Sequence, residues 1–155
     1  MQLSFQKESD FSSSRVSQLE KSLNGDKTTV MLHHSEHCGH CHQMRGEFEN
    51  FKNSTKSNVM EVEGSALGKL QEHKSLYKKV TPADGSMYFP MILIFIHKKK
   101  HLYEGERTKE GINKFISTHT KPKSASKPKT ATKPKTASVK SKIASKPKSA
   151  KPKTK

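Results

Sequence analysis

Apolar residues recur in two rhythms over the first 120 positions of this chain. Val16, Leu19 and Leu23 lie three and four apart and predict a helix. Ser12 stands where its N-cap belongs, Phe11 and Val16 flank the entry as a hydrophobic staple, and Gly25 is expected to close it in the left-handed conformation. Thr28–Leu32 is β-branched and apolar, a strand pattern. Cys41, Met44, Phe48 and Phe51 share one helical face, and Asn58–Val62 reads as a second strand. A weaker helix is expected over Ser65–Lys78, with Leu67, Leu70 and Tyr77 inward. Met91–Ile96 is a continuous apolar run of strand length, as expected of a strand covered on both faces. His101–Glu104 is expected to pair with it across a turn at Lys98–Lys100. Thr108 can cap a last helix that packs Ile112, Phe115 and Ile116 back onto the sheet, and Gln2–Gln6 has the form of a further short strand. Thr81–Tyr88, with Asp84-Gly85, reads as a turn. Strands alternating with helices predict an α/β fold, layered around one sheet.

Past residue 120 the rhythm stops. Residues 121–155 repeat K-P-K-[ST]-A-[ST], hold 13 lysines, and contain no acid and no aromatic. Recurrent proline prevents a continuous helix, and like charges repel. The expectation is a domain over 1–120 followed by a disordered Lys/Pro/Ser/Thr/Ala-rich tail over 121–155. The formal charge of +16 divides accordingly: with 13 of the 30 basic groups in the tail, 17 remain against 14 acids in the domain, or +3. A polycation of this kind suits a polyanion, nucleic acid first, through Lys121, Lys123, Lys127, Lys129, Lys133 and Lys135. With no aromatic among the lysines, base stacking and sequence readout are not expected. Acidic proteins and anionic membrane surfaces are the other partners such a tail can meet.

No apolar run reaches the roughly 18 residues of a membrane span. Two cysteines exclude a disulfide-scaffold protein. The N-terminal residues lack the apolar segment of a secretory signal, so the expected setting is reducing: cytoplasm or nucleus, or a virion for a chain from a large DNA virus.

The candidate chemistry is Cys38-Gly39-His40-Cys41, placed between an expected strand and an expected helix. A thiol at a helix N-terminus sits where unpaired N–H groups and the helix dipole favour an anion, and the thiolate is the nucleophile. Cys41, one turn deeper on the same face, can attack a mixed disulfide formed at Cys38. His40 can carry positive charge beside the thiolate.

With these residues the chain resembles the thioredoxin superfamily, and within it the protein disulfide isomerase type, whose active-site tetrapeptide is CGHC. Phe89-Pro90-Met91 before Ile92–Ile96 resembles the cis-proline landmark that faces the CxxC in that fold. Tyr103-Glu104-Gly105-Glu106-Arg107-Thr108, then Gly111-Ile112, resembles the end of the last strand and the start of the last helix. The resemblance implies a thioredoxin fold, a mixed sheet flanked by helices. It implies a redox-active Cys38–Cys41 disulfide, with Cys38 attacking and Cys41 resolving. It implies Pro90 in cis, the Phe89 backbone offered to substrate, and Arg107 near the buried cysteine. Protein thiols and disulfides would be the substrates, a thiol oxidase or reductase the partner, and no cofactor would be needed.

The departures from that family cluster at the site. The buried acid usual six residues before the first cysteine is Leu32, and His34, His37 and His42 stand where an aromatic, a tryptophan and a lysine are usual. With Phe89 they form the expected active-site rim, and His34, His37 or His42 is expected to take over proton transfer. Two other readings are open. One is a nucleic-acid packaging protein with a redox-inactive domain, for which Leu32 speaks. The other is a zinc-binding adaptor using His34, His37, Cys38, Cys41 and His42.

Overall fold

The computed structural model describes residues 1–120. The tail lysines Lys121, Lys123, Lys127, Lys129, Lys133 and Lys135 lie outside the described residues. Five strands form one mixed sheet: β1 Gln2–Phe5, β2 Thr29–His34, β3 Asn58–Glu63, β4 Met91–Ile96 and β5 Lys99–Tyr103, in the order β1-β3-β2-β4-β5. β1, β3 and β2 run parallel, while β4 is antiparallel to β2 and β5 to β4. Parallel neighbours need long crossovers, and helices α1 (Ser13–Asn24) and α2 (Gly39–Ser54) lie in them. Two short helices, α3 (Leu67–Leu70) and α4 (Lys74–Val80), and the last helix α5 (Lys109–Thr120) complete the order.

Side chains alternate across a strand, so each strand feeds two separate cores. Met31, Met60, Val62, Met91, Leu93 and Phe95 point to one face, where α1, α3 and α4 cover them with Leu19, Leu23, Leu70 and Val80. Val30, Leu32, Val59, Ile92, Ile94 and Ile96 point to the other, against Met44, Phe48 and Phe51 of α2 and Ile112 of α5. All six residues of β4 are buried, as its unbroken apolar run predicts. The predicted inward face of α2 is also the observed one: Cys41, Met44, Phe48 and Phe51.

Several local expectations are corrected. Ser12 is the N-cap of α1, but its hydroxyl accepts no backbone N–H and faces Ser14 instead. Gly25 closes α1 with φ −76°, in extended rather than left-handed backbone. The helix expected over Ser65–Lys78 is broken at Gln71–His73, and a 3-10 turn, Gly64–Ala66, precedes it. The second piece is set so that Leu76 and Val80 are buried while Tyr77 is only partly so. The hairpin turn is tighter than expected. His97 and Lys98, at φ 49° and 65°, make a two-residue turn, and β5 starts at Lys99. Positive φ at both central residues matches the twist of the flanking strands. The turn at Asp84-Gly85 is present, with Gly85 at φ 74° and the Ser86 N–H donating to the Asp84 carboxylate at 3.1 Å. Thr108 caps α5: its hydroxyl accepts the Gly111 N–H at 3.1 Å.

Candidate active site

β2 delivers the chain to the CxxC through a turn that its own backbone holds. The Cys38 N–H donates to the Ser35 carbonyl at 3.2 Å, and the His37 N–H to the Ser35 hydroxyl at 3.3 Å. Glu63, at the end of β3, fixes the turn from the side: its carboxylate accepts the Glu36 N–H at 3.3 Å and the Ser65 N–H and hydroxyl. Burial alone would push the Glu63 carboxyl up, but the Ser65 hydrogen bonds win and hold it below its ordinary value.

Cys38 is the N-cap of α2, and its sulfur accepts the Cys41 N–H at 3.2 Å. This is the cap position that serine or aspartate fills elsewhere, with sulfur as the acceptor. Both cysteines are free thiols; Cys38 is partly exposed, and Cys41 is buried one turn below. The Cys41 thiol is pushed up to about 11, first by burial and then by its hydrogen bond with Cys38, while Arg107 pulls the other way. At neutral pH Cys41 is therefore a protonated thiol.

The other expected site residues arrive from different elements. In the sheet register His33 of β2 faces Met91 of β4, which puts Pro90 at the end of β2 where the CxxC turn begins. The Phe89–Pro90 bond is cis. The Arg107 guanidinium donates to the Pro90 carbonyl at 3.4 Å. Arg107 is exposed, and the loop that carries it is clasped by Tyr103, whose hydroxyl donates to the Glu106 carbonyl at 2.7 Å. A Cβ at Gly105 would stand 2.8 Å from the Tyr103 ring, and one at Gly111 would collide with the Glu106 carbonyl. That packing is the physical content of the Tyr-Glu-Gly-Glu-Arg-Thr…Gly pattern.

The rim is only partly as expected. His37, His40 and His42 are exposed. The His42 ring donates from Nε2 to the Glu36 carbonyl at 2.8 Å, which ties helix α2 back to the turn. His34 is not on the rim: β2 runs two residues beyond its expected end, so His34 is a buried strand residue, 8% exposed. Phe89 is half-buried, with its ring laid over Gly64, where a Cβ would meet it at 2.8 Å. Among the described residues no group of three or more His, Cys, Asp or Glu side chains is placed to hold a metal ion. Nor is any helix there long and apolar enough to cross a membrane.

Two acidic residues were missed by sequence reasoning. β3 carries Val59, Glu61 and Glu63 on the same face as the buried Val30 and Leu32. A strand face that turns from valine to two glutamates marks a polar site, and that alternation was the available signal. Glu61 stands beside Leu32 in the β2–β3 register, and its carboxylate receives Lys52 of α2 at 2.7 Å.

The family profile for thioredoxin matches residues 11–118 of the chain. Among solved structures, the J-Trx1 fragment of ERdj5 superposes with a TM-score of 0.55 at 18% identity, over 78% of this chain and 52% of that one. ERdj5 in its crystal form I gives 0.54 at 16% identity, over 76% of this chain and 14% of that one. The reduced thioredoxin pre-protein of Schistosoma mansoni gives 0.50 at 17%, over 76% and 96%. This chain thus covers about half of the J-Trx1 fragment. No curated protein sequence matches it. At these identities the likeness to the solved structures is one of fold.

Proposed function

The chain belongs to the thioredoxin family, and on that footing we propose that it is a protein thiol–disulfide oxidoreductase of the disulfide-isomerase type. Cys38 forms the mixed disulfide with a substrate protein, and Cys41 resolves it. The observation that carries this reading is the pair itself: a partly exposed thiol capping α2, with a buried thiol one turn below whose N–H it accepts at 3.2 Å. The division of labour follows from exposure. Cys38 can be reached by a protein substrate, whereas Cys41 can be reached only by Cys38. His40 is the exposed residue between the two cysteines, and Pro90, Phe89 and Arg107 form the wall against which an extended substrate would lie. Tyr88 and Arg107 line one shallow hollow, which supports a part for the end of the Thr81–Tyr88 turn in substrate choice.

Insulin reduction and refolding of scrambled ribonuclease test the proposal. Wild type is expected to be active, Cys38→Ser inactive, and Cys41→Ser to accumulate a mixed disulfide with substrate. Equal inactivity of wild type and Cys38→Ser would remove the catalytic reading and leave a binding protein. The reduction potential of the pair then assigns direction: a value of about −180 mV marks an isomerase and one of about −270 mV a reductase.

The proposal extends to residues 121–155. Thirteen lysines without an acid supply a tether for a polyanion, nucleic acid first. Eight phosphate contacts on duplex DNA would give log K a slope of about −7 against log salt. Deleting 121–155 is expected to abolish that binding and to leave exchange with small substrates unchanged. Loss of both would refute the two-part organisation.

A further inference from the structure

Resolution requires Cys41 to lose a proton from a site where burial opposes the thiolate. The groups that could take it are those that share space with the thiol. A cavity of about 200 Å³ lies between β2, β3 and α2, lined by Cys41, Leu32, His34, Glu61 and residues of α2. Each water takes about 30 Å³, so there is room for several.

The walls supply the polar partners that water needs. His34 is more than nine-tenths buried, and its Nε2 has no hydrogen-bond partner. Glu61 faces it from β3, with 13% of its side chain exposed. Lys52 bridges Glu61 at 2.7 Å and Glu49 at 3.0 Å. The remaining charged and titratable groups around the cavity are Glu36 from the turn after β2 and His42, Arg45 and Glu49 from α2. His42 spends its Nε2 on the Glu36 carbonyl, and Glu49 is 43% exposed. Burial holds the His34 imidazole below its ordinary value, although Glu61 and Glu63 pull it up, so His34 is a neutral hydrogen-bonding wall near pH 7. Glu61 is left as the carboxylate that is both sheltered and held in place.

We propose that Glu61, positioned by Lys52, exchanges protons with the Cys41 thiol through water in this cavity. The inference rests on the oxidoreductase reading. In the resolving step the Cys41 proton passes through water to the Glu61 carboxylate. The Cys41 thiolate attacks the Cys38 sulfur, and the Cys38–Cys41 bond forms. The bond from Cys38 to substrate breaks, its electron pair leaving on the substrate sulfur, which takes up a proton. The substrate disulfide is thereby reduced by two electrons and the dithiol oxidised. In the reverse direction Glu61 returns the proton to Cys41. Leu32, which stands beside Glu61 in the register, contributes only apolar wall.

The test is single-turnover resolution of a Cys38–glutathione mixed disulfide in the full chain, followed between about pH 5 and pH 9. Glu61→Gln is expected to slow resolution at least about ten-fold near neutrality, with a rate that then climbs with hydroxide, and Glu61→Asp to recover most of the loss. Lys52→Met keeps the carboxylate but removes the cation that holds it in place, so the pH profile of resolution is expected to change. A folded Glu61→Gln with an unchanged profile overturns the proposal. If that variant does not fold, an unchanged pH profile in Lys52→Met overturns it. A wild-type chain that performs no exchange at all overturns the oxidoreductase reading itself, and is distinguished because no variant is needed to see it.

Discussion

His33 and His34 are neighbours in β2 and both are buried, yet they face opposite sides of the sheet. His33 lies on the side covered by α1, α3 and α4, among methionine, leucine and phenylalanine, with the Val80 backbone as its nearest polar group. His34 lies on the side covered by α2, beside a cavity with Cys41 and Glu61 on its walls. One face is closed and apolar; the other keeps polar groups and space at the point where chemistry is proposed. The same residue type is a cost on the first face and a working wall on the second. Its meaning comes from the face, which one step along the strand reverses.

The sharpest way to break this comparison is to hollow out each face. Leu93→Ala, on the closed face and fully buried, is expected to cost about 2–5 kcal/mol in denaturant unfolding. Leu32→Ala, which borders an existing cavity, is expected to cost less than about 2 kcal/mol, because less new void is created. Equal costs would mean that the two faces pack alike.

Acid titration separates the histidines next. Burial lowers His33 from the ordinary imidazole value of 6.5 to about 4. Between those values the unfolded chain binds the proton and the folded chain does not, so stability falls as pH drops through this window, by about 3 kcal/mol in all. His33→Leu is expected to remove that loss, seen as a flatter dependence of the unfolding midpoint on pH. The His34 shift has the same sign but is offset by Glu61 and Glu63, so His34→Leu is expected to flatten the curve less.

The smallest contrast concerns the helix ends. Thr108→Ala removes a working cap from α5 and is expected to cost about 1 kcal/mol. Ser12→Ala, at the start of α1, removes a hydroxyl that receives no backbone N–H and is expected to change stability by less than about 0.3 kcal/mol. Thermal melts of the two variants side by side measure the difference.

How far the sequence could be read follows from which interactions are local. Helix α2 was legible because Cys41, Met44, Phe48 and Phe51 lie three and four apart and every one turns inward. Strand β4 was legible because its apolar run has no interruption. The break at Gln71–His73 was not, because it is set by how Leu70 and Leu76 each reach the closed core rather than by any helix-breaking residue. The site was legible to the same degree. Cys38, Cys41, Pro90 and Arg107 come together, and the pattern of residues around each announced it. His34 was misplaced because the end of β2 was drawn two residues short. Glu61 carries a local signal, the alternation Val59, Glu61, Glu63, but its position beside Leu32 does not. β2 carries Leu32 where an acid is usual, whereas Glu61 stands at the same level of the next strand, and strand register is a long-range property that spacing along the chain does not encode.

The hairpin of β4 and β5 has a consequence beyond its own geometry. β5 is an edge, and it presents Lys99 just after a turn that carries Lys98, while Lys100 turns its ammonium onto the Lys78 and Thr81 carbonyls. A free strand edge is a template on which any extended chain can add itself, and lysines there discourage the addition. A protein proposed to handle other proteins with unpaired thiols would meet unfolded polypeptide in the ordinary course of its work. If it does, a charged edge would let such chains be held by the sulfur and released without strand addition.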